Sequence, residues 1–212
     1  MFEKYKKKID YVAFGANLNI KKVYFDENKY QLKSKKYFIF VGLFRPEKNV
    51  DLLIRAFIKA NTRDFKLALI GDDPINPQYV SNLYKLANEK IIFLGRRYGD
   101  EYRTISENAY CYVSASEVEG TSPALLAAMG FGLPVLVSDI EENKETIEDA
   151  GFIFRNNDEE DLVKMIEYLI NNDNLLNIYS IKGYERVQKL YSWDKISEDF
   201  YNIYKRITQS HV

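Results

Sequence analysis

The residues with most chemistry to offer lie in two short stretches, GLFRPEKN at Gly42–Asn49 and ASEVEGTS at Ala115–Ser122. Each combines glycine with charged side chains, and the second adds hydroxyls. Arg45 and Lys48 are the cations an anionic ligand requires, Arg as a planar fork of N–H donors and Lys as a compact charge. In the second stretch Ser122 stands as an N-cap, and Pro123 takes the first helical position, where its missing N–H costs nothing. The free N–H groups of that helix start, the helix dipole and a close approach at Gly120 suit a pyrophosphate. The same features also describe an ordinary capped strand–helix junction. Glu117 and Glu119 are the clustered carboxylates. Acid–base work would fall to them, because the one histidine, His211, sits at the end of the chain. Asp139, directly after an apolar run, reads equally as a site residue or as the cap of the next helix.

Other chemistries lose their footing. No Gly-Lys-Ser/Thr loop of the Walker type is present and no Gly-x-Gly-x-x-Gly follows the first apolar run, which weighs against triphosphatase and simple dehydrogenase readings. The one cysteine, Cys111, permits no intrachain disulfide and no cysteine-cluster metal site, so no metal is expected and a reducing, cytoplasmic compartment fits. With 30 Lys+Arg against 31 Asp+Glu the formal charge is -1, so neither nucleic acid nor an anionic membrane surface is an expected partner. The longest apolar run, Pro123–Val137, has fifteen residues within an uncharged stretch of nineteen, Gly120–Ser138; it is short of the ~20 that span a bilayer, and Gly130, Gly132 and Pro134 interrupt it. Met1–Ile9 is basic, but no apolar stretch of signal-peptide length follows it before Asn17 and Lys21, so no export signal is expected.

The elements that must position these residues follow from periodicity. Apolar, β-rich runs occur at Tyr37–Gly42, Lys66–Gly71, Ile91–Gly95, Ala109–Ser114, Pro134–Ser138 and Gly151–Phe154. Helical stripes intervene, among them Leu52, Leu53, Ala56, Phe57 and Ala60, and Leu162, Met165, Ile166 and Leu169. Near-continuous apolar strands alternating with helices predict a parallel sheet covered on both faces, an α/β Rossmann-like doubly wound domain over residues 37–172. Residues 1–36 form a basic, Tyr- and Lys-rich lead-in. Two closing helices, Leu175–Leu190 and Trp193–Ile207, fill residues 173–212. If the strand order is 3-2-1-4-5-6, ligands bind where the order reverses, between the first and fourth strands, and the two charged loops meet there.

Taken together, GLFRPEKNVDLLIRAF, LALIGDD, IIFLGRR, SEVEGTSPALLAAMGFGLPVLVSD and SWDKISEDFYNIY resemble, in order over nearly all of residues 38–207, the C-terminal domain of GT-B glycosyltransferases of group 1 (family 4). YVAFGAN and the EVxGTxPALL phrase look most like the branch of rhamnosyltransferases that build bacterial surface polysaccharides. The resemblance implies a domain that binds a nucleotide-sugar as substrate, with no separate cofactor. It implies an acceptor-binding N-terminal domain or subunit as partner, Tyr11–Asn17 as the linker from it, and tail helices folding back towards it. By motif position, Lys48 matches the lysine that meets the donor phosphates. Glu119 matches the first of two glutamates that contact sugar and ribose, and is the expected catalytic residue. Gly120, Thr121 and Ser122 match the loop whose amides face the donor; Gly42 and Arg45 complete the expected donor contacts. Two positions depart from the pattern. Leu43 stands where the family carries an arginine, and Ala127 stands at the second glutamate. A degenerate, non-catalytic subunit is therefore the alternative. An epimerase on the same fold is disfavoured by the lack of an internal histidine.

Overall fold

The computed structural model describes residues 10–18 and 24–209; Met1–Ile9, Lys21 and His211 fall outside them. All six apolar runs become strands: β1 Tyr37–Val41, β2 Lys66–Ile70, β3 Ile91–Gly95, β4 Cys111–Ser114, β5 Val135–Ser138 and β6 Phe152–Phe154. They pair in parallel in the order β3-β2-β1-β4-β5-β6, so the sheet is the doubly wound one expected. Beside β1, Val41 pairs with Ile70 on one edge, and Phe38 pairs with Cys111 on the other.

Alternate residues of each strand feed opposite cores. Phe38 and Phe40 lie on one face with Leu67, Leu69 and Val113; Tyr37 and Ile39 lie on the other with Ala68, Ile70 and Tyr112. A short helix, α1 (Glu27–Tyr30), precedes β1 and is capped by Asp26. The first face is covered by α2 (Val50–Lys59), α3 (Pro77–Leu86) and α7 (Glu159–Ile170). The opposite face receives α4 (Gly99–Glu107), α5 (Pro123–Gly130), α6 (Glu141–Ile147) and part of α8 (Asp173–Leu190). In α2, Val50, Leu53, Ile54 and Phe57 are all buried, as 3.6-residue periodicity requires. The last helix, α9, runs from Trp193 to Gln209.

The lead-in is packed on the domain. Ala16 N–H donates to the Tyr191 carbonyl at 2.7 Å, and Tyr30 and Leu32 join the core around Tyr37. Gly130 permits this passage, because a Cβ there would stand 2.8 Å from the Asn17 carbonyl oxygen. Gly71 is required for a different reason. A Cβ on it would fall 1.9 Å from the Gly42 carbonyl, so only a bare α-carbon lets the ends of β1 and β2 approach this closely.

Candidate donor-binding cleft

At the strand reversal the two charged loops leave the carboxyl ends of β1 and β4 side by side. A main-chain hydrogen bond ties them, Glu117 N–H to the Glu47 carbonyl at 2.9 Å. The first loop tightens into a 3-10 turn at Pro46–Lys48 and starts α2 at Asn49, whose left-handed φ of 49° reverses the chain. That turn aims Lys48 across the gap, where Nζ meets Glu119 Oε1 at 2.7 Å, both side chains being largely buried. The Glu119 charge is felt further in: burial first, and that carboxylate second, push the Tyr112 phenol up.

Arg45 points to the neighbouring strand end. Its Nε lies 3.5 Å from Oδ2 of Asp73, a residue 1 % exposed, and one guanidinium nitrogen lies 4.0 Å from Glu47. The Asn76 amide, the Ile75 N–H and Arg45 hold the Asp73 carboxyl below its usual range despite the cost of burial. The carboxylates of the cleft are thus more numerous than Glu117 and Glu119, the pair apparent in sequence; Glu47 and Asp73 join them. Glu117 itself accepts from the Asn157 amide at 2.6 Å, and Asn157 Oδ1 accepts from Asn49 at 3.3 Å.

The helix start after β4 is built as its residue types require. Ser122 Oγ accepts from Leu125 N–H at 3.4 Å, Pro123 occupies the first turn, and the space over Gly120 is open to 4 Å. Thr121 Oγ1 is hydrogen-bonded to the Tyr11 hydroxyl, which ties the lead-in to this loop. Gly42 donates its N–H to Ile70 and presents its carbonyl to Gly71. The structure therefore brings Gly42, Arg45, Lys48, Glu119, Gly120, Thr121 and Ser122 to the same edge of the sheet.

Beneath the second loop runs a buried polar chain that sequence reasoning missed. The hydroxyls of Ser114 and Ser116 lie 3.0 Å apart, Ser138 Oγ donates to the Ser116 carbonyl at 2.5 Å, and Asn143 Nδ2 donates to both Ser138 Oγ (3.0 Å) and the Ser138 carbonyl (3.1 Å). The available signal was serine at the ends of two fully apolar runs. Asp139 caps no helix; the N-cap position of α6 is Ile140, which offers no side-chain cap, and Asp139 accepts from Asn156 N–H at 2.7 Å.

The two departing positions fall apart in space. Leu43 is 41 % exposed beside the cleft and brings no charge. Ala127 borders a depression of about 500 Å³ with Asn17, Tyr102, Arg103, Phe131 and Trp193. Gly120 and Thr121 border another, of about 440 Å³, with Tyr11, Glu142, Glu145 and Tyr191. Among the described residues no cluster of three or more His, Cys, Asp or Glu side chains is arranged to hold a metal, and no helix is long and apolar enough to cross a membrane.

Comparison with known proteins agrees with this architecture. An uncharacterised glycosyltransferase of Methanocaldococcus jannaschii, MJ1178, is 28 % identical over 190 residues, covering 89 % of this chain and 52 % of that protein. The O-antigen chain mannosyltransferase B of Escherichia coli is 26 % identical over 182 residues, 84 % of this chain and 48 % of its own length. The chain thus spans about half the length of these curated relatives. In fold it is similar to the Anabaena protein Alr3699/HepE solved in complex with UDP, with a TM-score of 0.76 at 14 % identity over 86 % of this chain and 51 % of that one. The sequence pattern of the family described as glycosyl transferases group 1 matches residues 24–186, and the chain belongs to that family.

Proposed function

We propose that this chain is the donor-binding domain of a glycosyltransferase that moves a sugar from a nucleotide diphosphate to a glycan or lipid-linked acceptor. The observation that carries the reading is that Lys48, Arg45 and the capped start of α5, with open space over Gly120, lie on adjoining loops at the carboxyl ends of the strands where strand order reverses. Lys48, Arg45 and the free N–H groups of α5 would stabilise the departing diphosphate without a metal, and Glu119 would face the sugar. Family membership and the fold likeness to a protein crystallised with UDP support the assignment.

The acceptor-binding half is assigned to a second domain or chain, in line with the half-length match to the relatives. Tyr11, Phe14, Trp193, Phe200, Tyr201 and Tyr204 are exposed along the lead-in and α9, the face such a partner would cover. A reducing, cytoplasmic setting accords with the single buried cysteine.

Calorimetric titration with UDP, GDP and dTDP compounds, dTDP-rhamnose included, tests the reading. Binding to the wild type that is lost in Lys48→Ala is the expected result; absence of heat and of any thermal shift with every compound refutes it. That second outcome would favour a degenerate subunit, a reading motivated by the uncharged Leu43 and by an Ala127 that borders a different depression from Gly120.

A further inference from the structure

Both cations of the cleft are already held by carboxylates. Lys48 and Glu119 meet at 2.7 Å with 22 % and 11 % of their side chains exposed. Arg45 is held against buried Asp73, with Glu47 4.0 Å away, so three carboxylates stand against two cations. A bare diphosphate that takes Lys48 must draw it away from Glu119. It leaves that carboxylate with little water, no partner, and another anion beside it, where repulsion is far less damped than in bulk solvent. A diphosphate carrying a sugar changes the balance, because sugar hydroxyls donate to Glu119 in place of the ammonium.

We propose that the Lys48–Glu119 ion pair is a specificity determinant, making the cleft favour a sugar-bearing nucleotide diphosphate over the bare nucleotide diphosphate, and that the pair re-forms as the bare diphosphate leaves. The inference rests on the donor-site reading above and concerns selectivity within that site. Glu119 is then more than a sugar contact, since its charge acts against the product.

The test is Glu119→Gln, which keeps an oxygen acceptor and removes the charge. The probes are inorganic pyrophosphate, UDP with UDP-glucose, and GDP with GDP-mannose, each titrated into the 212-residue chain. Pyrophosphate and the bare nucleotide that the wild type accepts should bind the variant about 5–10-fold tighter, and the preference for the sugar form should fall by about tenfold. In a Lys48→Met background, where no ion pair has to be broken and only the repulsion between Glu119 and the anion remains, Glu119→Gln should tighten pyrophosphate binding by clearly less than it does with Lys48 present; an equal gain in both backgrounds overturns the role of the pair. Glu119→Ala, which also removes the charge, serves the same comparison for pyrophosphate and the bare nucleotide should the Gln variant fail to fold. Unchanged or weaker pyrophosphate and nucleotide binding in the variant overturns the inference while leaving the donor site standing. A wild type that binds none of the probes removes the donor site and the inference together.

Discussion

Asn143→Ala should loosen the cleft from behind. The Asn143 side chain is buried and its amide nitrogen donates to both oxygens of Ser138, whose hydroxyl in turn donates to the Ser116 carbonyl at the base of the Ala115–Ser122 loop. Truncation leaves the Ser138 carbonyl without its amide donor and deprives the hydroxyl of one of its two hydrogen bonds. A buried polar group left unsatisfied costs about 1–3 kcal/mol, and the hydroxyl, still donating, contributes the lower part of that range. A total of roughly 2–4 kcal/mol, at roughly 2–4 °C per kcal/mol for a domain of this size, lowers Tm by roughly 5–15 °C. Well below that Tm, the loop carrying Glu119 and Gly120 should hold its ligand less rigidly, weakening nucleotide diphosphate binding by about 3–30-fold. Differential scanning calorimetry and titration on the same sample measure both, with Glu141→Ala, exposed on the same helix, as control. A Tm within about 2 °C of wild type refutes the energetic reasoning. A lowered Tm with unchanged affinity confines the chain to a structural role.

Gly71→Ala should abolish soluble expression or lower Tm by more than 10 °C, on the order of an overpacked core site, because the obstacle is the Gly42 backbone and not a movable side chain; a stable variant would contradict the close approach. Ala127→Glu should fold with its melting temperature unchanged, since the position borders a depression of about 500 Å³. If that depression receives the ribose, a charge-assisted hydrogen bond should tighten nucleotide diphosphate binding by about tenfold; calorimetry showing no gain places the ribose elsewhere. Burial pushes the Cys111 thiol up, so it should stay unmodified by iodoacetamide at pH 8 until the protein unfolds. Its share of stability is complete below the ordinary thiol range near pH 8.5 and declines above it, as the unfolded chain releases that proton first; rapid labelling of native protein would refute this. The purified chain should transfer no sugar on its own, and product detected by mass spectrometry would overturn the assignment of the acceptor half to a partner.

The fold was legible because each strand is an apolar run bounded by glycine or charge, and because the helical stripes between them are amphipathic with the period of a helix. The positions of Lys48 and Glu119 on facing loops were legible from strand order together with family likeness. Their pairing was not, since residues 71 apart in sequence announce no contact; the Tyr11–Thr121 hydrogen bond, across 110 residues, was hidden for the same reason. Arg45 was legible as a cation but not as one held by Asp73, whose burial depends on the packing of the β2 end against its neighbours. The Ser114–Ser116–Ser138–Asn143 chain escaped because serine at a strand end reads as a turn residue, and only the parallel pairing of β4 with β5 brings the three serines together.

The hydrogen bond from Glu117 N–H to the Glu47 carbonyl uses main-chain atoms on both sides. Side chains at 47 and 117 can therefore change without removing this bond between the two loops, proline at 117 excepted, for it alone lacks the donor. The cleft has a frame that is indifferent to its own decoration. Charges can be exchanged within it, as a new sugar or a new base would demand, while the two half-sites keep their separation. A designer altering donor preference has the same freedom, and Glu117→Pro is the single exchange at that position expected to part the loops.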